Sequence, residues 1–455
     1  MLMARVLYSA GGPFPFDRSF RGQNVVEADW IIAARREGFK SRIFAMSHGK
    51  DPEEEKRIGD QQNKIAEKAF GSELFPRYRS CFKEARRTGG MSQFMGLSEV
   101  DKSLAAGDEV HYVLHYYNSR FQDGKTIADL AGDRYRDQKF SGYYVLHVNP
   151  DQIDLKGGYE EWKKTPDAVN TISRLADIVR SSFFRRIIAV SESTKAMWVE
   201  LLGSLGFSDE ARLSEQKIRA VPNGIDTELY VHVKEREKMG YKKELGLDHV
   251  GKVVLIMTRP SPSKGSDRIL SALRAFEESD DLRMGKVGFV VAMPDSEGGM
   301  EFLAEMQGLK KLLREGRLKF TVDISKIVRD SKELERSMKR IFSIYPPLGR
   351  GLPGFVPPVV YPLTYASDVL LHVPRAEAFG LVVAEALVSG CGVVTTPVGG
   401  IPGILSHWNG QSVTVGGDDT RETVDGILTA GRASKRNMSA SAALSVSDRF
   451  SKVID

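Results

Sequence analysis

The chain has 455 residues, 41% of them hydrophobic and 27% charged, which is too long for one ordinary core and implies two domains of roughly 200 residues each. A formal net charge of +5 is mildly basic; it suits an anionic ligand and excludes the charge footprint of a nucleic-acid binder. No apolar run approaches the ~18 residues needed to span a bilayer. The only cysteines, Cys81 and Cys391, exclude a disulfide framework and point to the reducing cytoplasm.

The N-terminus, Met1-Leu2-Met3-Ala4-Arg5-Val6-Leu7-Tyr8, reads as the start of a strand and lacks the layout of a signal peptide. Strand and helix patterns then alternate through the first half, which argues for a parallel sheet with helices on both faces. Strands are expected at residues 4–9, 41–46, 109–116, 143–148, 186–191 and 217–221. Between the first two lies a loop, Gly11-Gly12-Pro13-Phe14-Pro15 running to Gly22, and then a helix from Gln23 to about Arg36. The charged segment 50–88 reads as helical. Pro222-Asn223-Gly224-Ile225-Asp226 closes this half with a turn signal, and the domain boundary is placed at residue 231.

The second half opens with a strand at 252–258 and continues with a strand at 286–293 and a helix at 299–314. Asp368-Val369-Leu370-Leu371-His372-Val373 reads as a short buried strand and residues 390–397 as another, with one helix between them whose first turn follows Gly380. The unsatisfied N–H groups and positive dipole end of such a turn attract an anion. Two carboxylates, Glu377 and Glu385, bracket it eight positions apart; on a helix that separation spans roughly 12 Å and returns to nearly the same face. The chain closes on an amphipathic segment at 434–446, followed by Asp448-Arg449-Phe450-Ser451.

The run Glu377-Ala378-Phe379-Gly380-Leu381-Val382-Val383-Ala384-Glu385, with the turn Val398-Gly399-Gly400-Ile401-Pro402 behind it, resembles the E-x-F-G-L-x-x-x-E signature of the retaining glycosyltransferases of family 4. The resemblance implies an α/β chain of GT-B fold, with two doubly wound, Rossmann-like parallel-sheet domains facing a central cleft. Residues 1–231 would bind the acceptor and residues 232–433 the nucleotide-sugar donor, while residues 434–455 would cross back to the first domain, an aromatic such as Phe450 marking the crossover. In the family, the glutamate matched by Glu385 binds the donor's ribose hydroxyls. The one matched by Glu377 touches the transferred sugar, beside the backbone of Ala378, Phe379, Gly380 and Leu381. A carboxylate suits a diol because it accepts two charge-assisted hydrogen bonds.

Met257-Thr258-Arg259-Pro260-Ser261-Pro262-Ser263-Lys264-Gly265 resembles the family's G-R…K-G phosphate segment, with Thr258 where glycine is usual. Arg259 and Lys264 would hold the donor's diphosphate, the first by its planar fork and the second as a compact charge, and would stabilise the charge that departs with it. No metal is then required, no metal-ligand cluster stands out, and no cofactor is expected beyond the nucleoside diphosphate sugar, which is a substrate. With Lys264 taken as a loop cation, Lys264→Ala is expected to leave the melting temperature nearly unchanged and to cut turnover about a hundredfold.

In the first half, the loop from Gly11 to Gly22 matches the family's glycine-rich first loop, which puts Gly22 near the phosphates; Arg21 stands where the family carries a second glycine. Arg18 and Arg21 are candidates for recognising an anionic acceptor. Val145-Leu146-His147-Val148-Asn149-Pro150 is like the family's strand end whose histidine contacts the transferred sugar, with His115 a second choice; a lone strand histidine is otherwise a satisfied core group. Ile187-Ile188-Ala189-Val190-Ser191-Glu192-Ser193 resembles a strand end at which Ser191 or Ser193 caps the next helix. Between residues 319 and 367, where the family grips the nucleobase with a short loop, stands a long insert containing Pro346-Pro347-Leu348-Gly349-Arg350-Gly351, so the base stays open.

The resemblance therefore implies a cytoplasmic, metal-independent retaining glycosyltransferase acting by front-face substitution, with Glu377, His147, Arg259 and Lys264 as its catalytic groups. The acceptor would be a small molecule, a glycan or a lipid-linked molecule, and the last of these would bring the protein into peripheral contact with a membrane. No nucleic-acid partner is expected, and the oligomeric state is not indicated. A sugar phosphorylase of the same fold and a non-catalytic nucleotide-sugar-binding protein are the alternative readings.

Overall fold

Apolar runs bounded by turn signals become strands buried on both faces, as a parallel sheet covered by helices requires. The computed structural model describes residues 4–13, 26, 30–31, 33–46, 86–88, 92–115, 135, 138–152, 158–225, 242–243, 246–292, 302, 304–306, 308–321, 363–364, 366–407, 412–431 and 445–454. They divide into two units, Met1–Ile225 with Ser445–Asp455, and Asp226–Leu444.

The first unit holds β1 (Arg5–Pro13), β2 (Lys40–Met46), β3 (Arg86–Thr88), β4 (Glu109–Leu114), β5 (Phe140–Leu146), β6 (Phe184–Ala189) and β7 (Ile218–Ala220). They form one parallel sheet in the order β3-β2-β1-β4-β5-β6-β7. The second unit holds β8 (Lys252–Met257), β9 (Val287–Ala292), β10 (Leu318–Thr321), β11 (Val369–His372), β12 (Gly392–Thr395) and β13 (Val413–Thr414). Its sheet, also parallel, runs β10-β9-β8-β11-β12-β13. Each order reverses direction once, between β1 and β4 in one unit and between β8 and β11 in the other. Doubly wound sheets take their ligands beyond the carboxyl ends of the strands at such a reversal, so the topology nominates the loops after β1 and β4 in one unit and after β8 and β11 in the other.

Two of the covering helices are fixed at both ends. Helix Pro166–Arg180 starts with the Thr165 hydroxyl accepting from the Ala168 amide, with Pro166 in its first turn. At its far end the Lys217 ammonium donates to the carbonyls of Val179 (2.7 Å) and Ser181 (2.5 Å). Helix Thr420–Thr429 starts on Asp419, and Lys252 donates to the carbonyls of Ile427, Leu428 and Ala430 at 2.6–2.9 Å. Each helix thus places a cation against its negative dipole end.

The structure departs from the sequence reading in three places. β1 runs four residues beyond Ser9, through Gly11 and Gly12, with its pairing to β2 shifted between Ala10 and Pro13. Within the segment read as helical, residues 86–88 pair as a strand with Phe44–Met46 of β2; a sheet edge recruits backbone whatever the local charge pattern. The helix expected at 299–314 is interrupted by a turn at Gly308 before the short helix Lys310–Arg314, where glycine lowers helix stability. Residues 434–444 of the closing amphipathic segment lie outside the described residues, and the last helix is short, Val446–Ile454. It carries Phe450 fully buried against Phe39, with ring centroids 5.6 Å apart, and Trp30, at 6.4 Å.

Candidate functional site

Beyond the carboxyl end of β11 the chain turns through Val373, Pro374, Arg375 and Ala376 to Glu377, and this loop is fastened to its neighbours on both sides. The amides of Arg375 and Ala376 donate to the Ser263 carbonyl at 2.8 and 3.1 Å. The Arg375 guanidinium forks onto Asp267 at 2.6 and 2.7 Å. Arg268 donates to the carbonyls of Val373 (3.3 Å) and Pro374 (3.2 Å), and the Thr396 hydroxyl, just past β12, donates to Pro374 at 2.5 Å. The loops after β8, β11 and β12 are therefore one hydrogen-bonded frame.

Two glycines make the frame possible. Gly399 has φ 58°, and a Cβ built there would stand 1.4 Å from the Glu377 carbonyl oxygen, so only glycine lets the turn after β12 lie against the Glu377 backbone. Gly380 has φ 100° at the start of helix Leu381–Val388, where no side chain caps the first turn. Leu381 and Val382 are partly exposed there, and Ala378 and Phe379 lie buried just before it.

Lys264 closes the turn Pro262–Lys264 after β8, and its ammonium donates to Glu377 Oε2 at 2.9 Å. The two side chains are 15% and 12% exposed. His372, the last residue of β11 and 2% exposed, brings Nε2 to 3.2 Å from the same oxygen, while the Ala378 amide donates to Oε1 at 3.2 Å. Burial by itself would raise the Glu377 carboxyl. The Lys264 ammonium and the His372 ring together outweigh that penalty and hold it well below the usual carboxylate range.

Two expectations are corrected here. Glu377 is not on a helix: the left-handed backbone at Gly380 separates it from helix Leu381–Val388, so an eight-residue helical span does not relate it to Glu385. Glu385 is the fifth residue of that helix and is 5% exposed. Nor is Lys264 a solvated loop cation, since it neutralises a buried carboxylate. Arg259 is exposed beyond the end of β8, following Thr258, whose amide extends the ladder to the Ala292 carbonyl at 3.2 Å.

In the first unit, His115 follows β4 and His147 follows β5. His115 Nδ1 and His147 Nε2 are 2.9 Å apart, with the rings stacked at 5.1 Å and Trp30 edge-on to His115 at 5.2 Å. Burial lowers both imidazoles, His115 well below its ordinary value and His147 to about 3, so a neutral pair shares one proton across that contact. Beside them Ser191 caps helix Glu192–Ser204 by accepting from the Thr194 amide, and the Thr194 hydroxyl donates to Asn149 at 2.6 Å. Gly22, Arg18, Arg21 and most of the insert between 321 and 366 lie outside the described residues.

The structure thus brings Lys264, Glu377, Ala378 and the Gly380 turn together in one frame. Sequence reading missed His372, Arg268 and Thr396 as members of it. The available signal was positional, since His372 and Thr396 each stand at the carboxyl end of a strand beside the sheet reversal. Among the described residues no group of three or more His, Cys, Asp or Glu side chains could hold a metal ion, and no helix is long and apolar enough to cross a membrane.

Residues 285–431 match the family model of glycosyl transferases group 1. Comparison with curated proteins finds no match. Among solved structures, the chain is similar to Anabaena Alr3699/HepE in complex with UDP and glucose, with a TM-score of 0.59 at 15% identity, covering 99% of this chain and 98% of that one. It is similar to sucrose-phosphate synthase from Thermosynechococcus elongatus, with a TM-score of 0.59 at 13% identity, covering 99% and 97%. A structure described as trehalose-6-phosphate from E. coli bound with UDP-2-fluoro glucose gives a TM-score of 0.54 at 14% identity, covering 99% and 98%. At such identities the likeness is one of fold. The chain is thus a protein of two Rossmann-like parallel sheets with the GT-B fold, in which residues 285–431 match glycosyl transferases group 1 and the enzyme class is glycosyltransferase.

Proposed function

We propose that the protein is a retaining glycosyltransferase of the family 4 type, moving a sugar from a nucleoside diphosphate sugar to an acceptor hydroxyl without a metal. One observation carries the reading: the Lys264–Glu377 pair, 2.9 Å apart, stands at the β8/β11 reversal beside an uncapped helix start. The donor's diphosphate lies against Lys264, Arg259 and the amides from Gly380 to Leu381, where cation, dipole and N–H groups converge on one anion. Glu377 binds the hydroxyls of the transferred sugar, supported by the backbone of Ala378 and Phe379, and Glu385 binds the ribose. His147 is assigned to the sugar and Gly22 to the phosphates on the family resemblance.

The acceptor oxygen bonds to the anomeric carbon as the bond from that carbon to the diphosphate oxygen breaks, both on one face of the ring. The departing diphosphate oxygen takes the hydroxyl proton, so atoms and charge balance and the anomeric configuration is retained. Lys264 and Arg259 hold the charge that develops on the leaving group, the largest acceleration a fixed cation can supply. Residues 1–231 serve the acceptor and residues 232–433 the donor. Cys391 is buried and in no disulfide, its Sγ donating to the Thr364 carbonyl at 2.8 Å, in keeping with a cytoplasmic enzyme.

The Anabaena structure holds UDP and glucose, which makes UDP sugars the first donors to test. A panel of uridine, guanosine and adenosine diphosphate sugars is screened by thermal shift, where a ligand at a hundredfold its dissociation constant adds about 2.7 kcal/mol. The stabilising donor is then incubated with acceptors, and release of nucleoside diphosphate with a glycoside of retained configuration is the expected result. Sugar 1-phosphate formation that depends on inorganic phosphate would identify a phosphorylase instead, and binding with no turnover on any acceptor would identify a binding protein.

A further inference from the structure

Glu377 Oε2 accepts from two donors at once, Lys264 at 2.9 Å and His372 at 3.2 Å. One of them is committed elsewhere when a donor binds, because a diphosphate beside the β8 loop attracts the Lys264 ammonium and the two anions cannot share it at full strength. We propose that His372 is a positioning residue for Glu377, holding the carboxylate ionised and aimed at the sugar once Lys264 has turned to the diphosphate. The proposal rests on the reading of Lys264 and Glu377 given above.

Three observations support it. An ionised carboxylate only accepts, so the proton of the shared bond must sit on His372 Nε2. His372 Nδ1 is buried and has no hydrogen-bond partner among the described residues, so Nε2, facing Glu377, is the ring nitrogen with an acceptor in reach. The ring cannot follow Lys264 outward either, because His372 is the last residue of β11, 2% exposed, in register with Thr395 of β12. Lys264 ends a short turn on a flexible stem, whereas the imidazole is anchored in the sheet; the mobile cation is free to serve the anion that arrives, and the fixed ring stays with the one that is always present.

The test compares His372→Leu, which removes the donor, with His372→Gln, which keeps an N–H near the position of Nε2. With the donor sugar that the wild-type enzyme uses, the Leu variant should lose about ten- to hundredfold in kcat, the worth of one hydrogen bond to a charged group, and the Gln variant should recover most of it. Calorimetric affinity for the free nucleoside diphosphate should match wild type in both, since His372 does not touch the diphosphate, whereas Lys264→Ala should weaken it. A kcat in His372→Leu within twofold of wild type overturns the proposal, as does a loss of diphosphate affinity equal to that of Lys264→Ala. A second measurement needs neither turnover nor a stable variant: nitrogen NMR of the His372 ring in the wild-type protein, with and without uridine diphosphate. Protonation at Nε2 in both states supports the proposal, and an Nδ1–H tautomer in either refutes it. Absence of turnover on every donor together with an Nε2–H ring would instead count against the proposed function and leave the His372–Glu377 bond standing.

Discussion

The Lys264 ammonium lies 2.9 Å from Glu377 Oε2, with the two side chains only 15% and 12% exposed. A cation on an exposed loop contributes about 0–1 kcal/mol to stability, and its removal would leave the melting temperature alone. Paired with a buried carboxylate at 2.9 Å, it is a different case, because truncating one partner strands an uncompensated charge at a cost of about 3–5 kcal/mol. Lys264→Ala should therefore lower the melting temperature measurably and cut turnover about 10²–10³-fold, while Lys264→Met combined with Glu377→Gln should regain the stability without the activity. The pH dependence has a definite sign. The Glu377 carboxyl is depressed in the fold, so its contribution to stability is complete above the unfolded value of about 4.3 and is lost as pH falls through the lower folded value. Without Lys264, burial is opposed by fewer groups, so the folded carboxyl should titrate at higher pH and contribute less to stability. Carboxyl carbon NMR of Glu377 in the two proteins checks this, and a Lys264→Ala carboxyl at or below the wild-type value would contradict it.

Among the elements, the helix after Gly380 was legible and the place of its two glutamates was not. Apolar residues between two strand signals, a glycine before and Gly390 after, specify helix Leu381–Val388 from local preference. That Glu377 sits outside it follows from the backbone at Gly380, and its contacts follow from a turn twenty-two positions away. Gly399 tests that dependence. Gly399→Ala must move the Glu377 carbonyl from which its Cβ would be 1.4 Å away, and it also places a side chain at φ 58°, worth about 1–2 kcal/mol by itself. Gly403 lies in the neighbouring helix Ile401–Leu405 with no described residue within 4 Å of its Cβ position, so Gly403→Ala should be neutral or stabilising by up to about 1 kcal/mol. Turnover and melting temperature of the pair should separate sharply; equal behaviour would mean the Gly399 turn does not support Glu377.

For the molecule as a whole, the last helix, Val446–Ile454, follows the second unit in the chain and belongs to the first. Phe450 is fully buried against Phe39 and Trp30, and Ile225 bridges Ser445 in parallel. Truncating a fully buried aromatic costs about 3–5 kcal/mol, so Phe450→Ala should destabilise the first unit selectively. Hydrogen exchange is the readout: amides of β1 and β4 should lose protection while those of β8 and β9 keep theirs. Uniform loss in both sheets would show that Phe450 stabilises more than the unit it packs in.

The alternation of strands and helices, the two parallel-sheet units and the motif around Glu377 and Lys264 were legible in the chain, because buried apolar runs, glycine turns and charged residues after strands are local patterns. Which of those residues meet follows from the sheet order of the folded chain. His372 reads as one more residue of an apolar strand, and nothing near it in the chain announces that β11 lies beside β8 and carries its ring to the oxygen that Lys264 holds. Sheet order sets those neighbours, and burial converts a surface-looking lysine and glutamate into a pair whose charges depend on each other.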